Sequence, residues 1–136
     1  MRPEAQVPGS PEDWLRHARS DLAVARQRPK RVVLLETQCF HAQQAAEKSL
    51  KAVLLAQAVP FPYTHDLARL ITLVRGTKVG WPVQLDAAAK LSDYAVSARY
   101  PSTSKAVSPA ERREAVTLAK AVFAWAEKRI REVRGG

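Results

Sequence analysis

The chain carries a single cysteine, so no internal disulfide framework can hold it together. Cys39 falls within an apolar helical pattern, which points to a buried structural thiol and not a reactive one. Glycine is scarce, with five residues confined to the N-terminal tail, the 76–80 loop and the C-terminus. A glycine-rich phosphate cradle is thereby excluded. No apolar run reaches the roughly 20 residues that a membrane helix needs. The opening MRPEAQVPGSPEDW lacks the apolar centre of a secretory signal and carries acids. A cytoplasmic location without membrane contact is the expectation. Three histidines and one cysteine lie scattered without ligand spacing, so neither a metal nor another cofactor is expected. Aromatic and β-branched runs are few, which argues against a β-sandwich.

What the chain has is helix-forming sequence. Its 136 residues suffice for one domain with a real apolar core. Residues 1–9, with Pro3, Pro8 and Gly9, read as a disordered tail, and 10–134 as the folded domain. Ser10-Pro11-Glu12-Asp13 is a helix start: a capping hydroxyl, a proline suited to the first turn, and two acids at the positive end of the helix dipole. Trp14, Ala18, Leu22 and Ala25 continue as one apolar stripe to about Arg28. Pro29 breaks the chain. A second helix begins between Arg31 and Glu36 and runs to about Ala58, with Leu35, Cys39, Ala42, Ala46, Leu50 and Val53 on one face. Phe40 and Leu54 widen that face, so this helix should touch two or more neighbours. Val59-Pro60-Phe61-Pro62 ends it.

Thr64-His65-Asp66-Leu67 opens a short third helix with Leu67, Leu70, Ile71 and Val74 apolar. A fourth helix is expected over 82–98, with Leu85, Ala88, Leu91, Ala95 and Ala98 on one face. Ser108-Pro109-Ala110-Glu111 has capping-box spacing and starts a fifth helix that runs to about Val133. Its core face is Val116, Ala119, Phe123, Ala126, Ile130 and Val133, broadened by Val122 and Trp125. Lys128, Arg129, Arg131 and Arg134 complement the dipole at its end. The fold class is therefore all-α: an up-and-down four-helix bundle with an additional short helix.

Polar residues stand inside the most apolar helix. The run Phe40-His41-Ala42-Gln43-Gln44-Ala45-Ala46-Glu47-Lys48-Ser49-Leu50-Lys51 is followed by Thr64-His65-Asp66-Leu67 and by Ala98-Arg99-Tyr100-Pro101. In order and spacing these segments resemble the HEPN family over roughly residues 11–133. The resemblance implies a helical bundle that homodimerises, often beside a minimal nucleotidyltransferase partner in a toxin–antitoxin-like module. It also implies, for some members, metal-independent ribonuclease activity from an Arg and a His four to six residues apart. There His would move the proton of a ribose 2′-hydroxyl and Arg would hold the phosphate. This sequence departs from that pattern. Arg99 is followed by Tyr100, Pro101, Ser102, Thr103, Ser104 and Lys105, and neither His41 nor His65 follows an arginine at that distance.

Gln43 and Glu47 stand at i and i+4, and a half-buried Glu47 needs a cation or several donors, for which Arg99 is a candidate. His41, Gln44, Lys48 and Lys51 form a polar stripe at i, i+3, i+7 and i+10. The stripe suits a phosphate, a dimer seam or plain solvent. Around His65, capping by Thr64 or Asp66 is the simpler role. The expected ligand or partner surface is thus His41, Gln43, Gln44, Glu47, Lys48, Lys51, Arg99 and Tyr100. The catalytic candidates are Arg99, His41 and His65. The first functional expectation is a non-catalytic or weakly active homodimeric subunit that binds a nucleotidyltransferase partner, a nucleotide or RNA. A ribonuclease with a rearranged site is the second, and a basic RNA-binding module, suggested by the net charge of +9, is the third.

Overall fold

The computed structural model describes residues 9–97 and 106–135. Those residues are helical throughout their regular structure: α1 (Pro11–Arg26), α2 (Leu35–Ala56), α3 (Leu67–Arg75), a 3₁₀ helix (Val83–Asp93), α4 (Tyr94–Ser97) and α5 (Pro109–Gly135). No strand occurs among the described residues.

The helix starts form where the capping chemistry lies. Ser10 Oγ accepts from the Asp13 amide at 3.1 Å, and Asp13 Oδ2 accepts from the Ser10 amide at 3.0 Å. Ser108 and Glu111 repeat this reciprocal pair at 3.1 and 2.8 Å. Each box satisfies amides that a helix start otherwise leaves unpaired. Asp66 caps α3 through the Ala68 amide at 3.0 Å. At the end of α2 the Ala58 amide donates to Leu55 O and the Val59 amide to Leu54 O. Ala58 closes this turn in the left-handed region, at φ 57°.

α2 is central and packs against every other element. Ala42, Ala45, Ala46, Ser49, Leu50, Ala52, Val53 and Leu54 are all buried along it. So many small side chains let the neighbouring helices approach closely. α1 contributes Leu15, Ala18, Leu22 and Ala25, and α5 contributes Ala115, Ala119, Val122, Phe123, Ala126 and Ile130. Arg134 near the end of α5 grips Glu12 at the start of α1, at 2.9 and 2.8 Å. Arg112 near the start of α5 reaches Ala25 O near the end of α1. α1 and α5 are therefore antiparallel, as short-looped bundles require.

Three expectations are corrected. The fourth helix is 3₁₀ over Val83–Asp93 and α-helical only over Tyr94–Ser97. Its apolar residues Leu85, Ala88 and Leu91 recur every third position, and a helix with three residues per turn keeps such a row on one edge. Ala98 lies outside the described residues. Val133, expected in the core, is 40% exposed, because it faces an open cleft bordered by Gln57, Thr72 and Lys78 and not a packed neighbouring helix. Phe40 and Leu35 are only half-buried, and Phe40 packs edge-on against His41.

Candidate functional site

Two carboxylates organise the polar residues of α2. Gln43, Glu47 and Lys51 follow one another at single-turn spacing and share a face. All three are buried. Glu47 Oε1 accepts from Gln43 Nε2 at 2.9 Å and lies 2.8 Å from His65 Nδ1. Its other oxygen accepts from Lys51 Nζ at 2.9 Å. Gln43 Nε2 also reaches His65 O at 3.3 Å, and Gln44 Nε2 donates to Gln43 Oε1 at 2.7 Å. The ammonium of Lys51 lies 5.9 Å from the ring centre of Trp14 and 5.7 Å from that of Phe61. Those ring faces help to replace the water that burial removes.

Taking two ions out of water costs several kcal/mol each, and only well-placed partners offset that. Burial alone would push the Glu47 carboxyl up. The Lys51 charge, with hydrogen bonds from Gln43, Lys51 and His65, outweighs burial and holds it below the ordinary 4.5. Glu47 is thus a buried anion at neutral pH.

The second carboxylate is Asp21 on α1. It lies 2.9 Å from His41 Nδ1 and accepts from Lys48 Nζ at 2.7 Å. The stripe His41, Gln44, Lys48 and Lys51 is therefore divided between two acids and a glutamine. Lys48 also borders a cleft of about 410 Å³ lined by Trp14, Arg16 and His17. Arg99 and Tyr100 lie outside the described residues. Asp21 was not anticipated from the sequence, because its partners come from another helix and only the α1–α2 register brings them together. The partnership of Glu47 with Lys51 has a local signal, the i, i+4 spacing of opposite charges.

The thiol of Cys39 is fully buried, and burial raises its pKa to about 11 despite the hydrogen bond with Tyr94. It stays protonated and inert near neutrality. Among the described residues no group of three or more His, Cys, Asp or Glu side chains could hold a metal ion.

The HEPN domain family model matches residues 11–130. The chain belongs to the HEPN family. Among solved structures, it is similar to TT1696 from Thermus thermophilus, at 31% identity and a TM-score of 0.71, over 88% of this chain and 97% of that one. It is also similar to ST0689, described as an archaeal HEPN homologue, at 25% identity and a TM-score of 0.68, over 90% and 99% of the two chains. No curated protein matches it. Within this HEPN bundle both histidines that sequence patterning singles out are held by carboxylates, His41 by Asp21 and His65 by Glu47.

Proposed function

We propose that this HEPN chain is a non-catalytic or weakly active subunit that forms a homodimer and binds a nucleotidyltransferase partner or a nucleotide-like ligand, in a toxin–antitoxin-like arrangement. One observation carries the reading. The Arg–His spacing of the ribonuclease pattern is absent from the sequence, and the available histidines His41 and His65 are engaged by Asp21 and Glu47. With no arginine four to six residues before either histidine in the sequence, the pair that would move the 2′-hydroxyl proton and hold the scissile phosphate in the ribonuclease pattern is missing.

The ligand surface in this reading is the cleft between α1 and α2. Lys48 joins it to the Asp21 pair, and the indole of Trp14 provides an apolar wall. Gln43, Glu47 and Lys51, buried on α2 away from the cleft lining, fix the helix that presents Lys48. A small polar ligand needs few groups of this kind, held by a packed scaffold.

Tagged protein, purified from cells that express its neighbouring genes, should retain a small nucleotidyltransferase and sediment as a dimer. Calorimetry with ATP should detect binding that Lys48→Ala weakens about tenfold, the equivalent of one charged hydrogen bond. Structured RNA incubated in chelator should stay intact. A monomer that retains no partner and binds no nucleotide would remove the support for this reading. RNA cleavage lost in Arg99→Ala would replace it with a nuclease.

A further inference from the structure

The last residue of α1 and the connection to α2 carry Arg26, Arg28, Lys30 and Arg31 within six residues, all exposed. Arg113, from the first turns of α5, faces the same cleft of about 390 Å³ as Lys30, between Pro29 and Pro109. These five cations differ from most others in the molecule. Arg16, Arg19, Lys48, Lys51, Arg75, Lys90, Arg129, Arg131 and Arg134 each meet a carboxylate. None of the five at this edge does so among the described residues.

The ordinary reason for cations at a helix end is to satisfy its last carbonyls and oppose its dipole. That role is already filled here. Gln38 Nε2 donates to Val24 O, Ala25 O and Gln27 O at 3.3, 3.3 and 2.9 Å. Arg112 donates to Ala25 O at 2.8 Å and to Gln27 O at 2.6 Å. The carbonyls that would have drawn Arg28, Lys30 or Arg31 inward are occupied by two other side chains. The nearby carboxylate of Glu111 is committed to the Ser108 amide at 2.8 Å. Gln38 and Arg112 therefore pin the connection to α2 and α5 and leave its cations facing water. An unpaired row of this kind is rich in arginine, whose flat fork fits phosphate oxygens in pairs.

We infer that the α1–α2 connection and the start of α5 form a docking edge for a nucleic-acid backbone, gripped through its phosphates by Arg26, Arg28, Lys30, Arg31 and Arg113. Among the described residues no aromatic ring lines this cleft, so its walls offer the bases nothing to stack on. Recognition is blind to sequence and to the sugar. The edge is separate from the Lys48 cleft and does not depend on the partner or nucleotide reading above.

The test is fluorescence anisotropy of the full chain with labelled oligouridylate and oligothymidylate, each about 20 nucleotides long, across a salt series. The edge variant is Arg28→Glu with Lys30→Glu and Arg31→Glu. The control makes the same charge change at exposed lysines elsewhere: Lys78→Glu, Lys120→Glu and Lys128→Glu. The two strands should bind alike. The edge variant should lose at least tenfold in affinity at low salt, against less than threefold for the control. Its log–log salt slope should fall by about 2, from three lost phosphate contacts at about 0.7 each. Equal losses in the two variants would overturn the inference, since net charge alone would then explain binding. So would no binding by the parent chain, or a tenfold preference for the RNA strand. Unchanged melting curves for both variants keep the comparison free of folding effects.

Discussion

Glu47 and Asp21 anchor two clusters made of the same three side-chain types: one carboxylate, one lysine and one histidine. They differ in depth. The side chains of Glu47 and Lys51 are 5% and 7% exposed, whereas those of Asp21 and Lys48 are 13% and 24% exposed. The deep cluster is closed by Gln43 and two aromatic rings, and each Glu47 oxygen has a donor. The shallow one spans two helices and opens onto the Trp14 cleft. Identical chemistry thus serves two ends. Buried and fully paired, Glu47 and Lys51 tie α2 to the half-exposed His65 just ahead of α3. The shallow trio leaves a lysine and an imidazole where a ligand or partner can reach them.

The largest expected effect that sharpens this contrast is Lys51→Ala. It leaves Glu47 buried without its lysine, and removing one member of a buried pair costs about 3–5 kcal/mol. Urea unfolding should show that loss. A change below about 1 kcal/mol would mean that the deep cluster is no more structural than the shallow one.

Acid should separate the two next. Glu47 has a folded-state pKa below its ordinary 4.5. Its contribution is therefore fully present above the unfolded value and is lost as pH falls through the lower, folded one. Stability of the parent chain should drop as pH is lowered below about 4.5, and Glu47→Gln should flatten that part of the curve. An unaltered acid limb in the variant would show that the carboxylate is not what acid attacks.

The smallest effect is expected from Asp21→Asn. Partly exposed ion pairs contribute about 0–1 kcal/mol, so the melting temperature should move little. Nucleotide or partner binding should change more than stability does. A large stability loss with unchanged binding would erase the distinction between the clusters.

Much of the fold can be read from local sequence. Ser10 and Ser108 mark helix starts because a short hydroxyl side chain and an acid three residues on satisfy free amides within one turn. Pro29 and the Pro60–Pro62 pair mark breaks for equally local reasons. The apolar rows of α1, α2 and α3 reach the core because helical periodicity assigns a face before any neighbour arrives. The segment after Pro82 was harder, since Leu85, Ala88, Leu91 and Ala95 fit an α-helical face nearly as well as a 3₁₀ edge. The candidate site was legible as a list of polar residues on α2 but not as two separate clusters. Helix periodicity places Lys48 and Lys51 on one stripe. Only the packing of α1, whose Asp21 takes Lys48 and whose Trp14 covers Lys51 together with Phe61, sends them to different acids.

The sequence by itself determined the helical class, the family, and the loss of the Arg–His ribonuclease spacing. Each depends on order and spacing along the chain. Tertiary structure alone decided which charges are spent and which are left over. It buried Lys51 against Glu47, drew Lys48 to Asp21, and used Gln38 and Arg112 to cap α1, leaving Arg28, Lys30 and Arg31 in water. The physical reason is range: capping and periodicity act within a turn or two, whereas a side-chain charge is committed by whichever helix packs beside it.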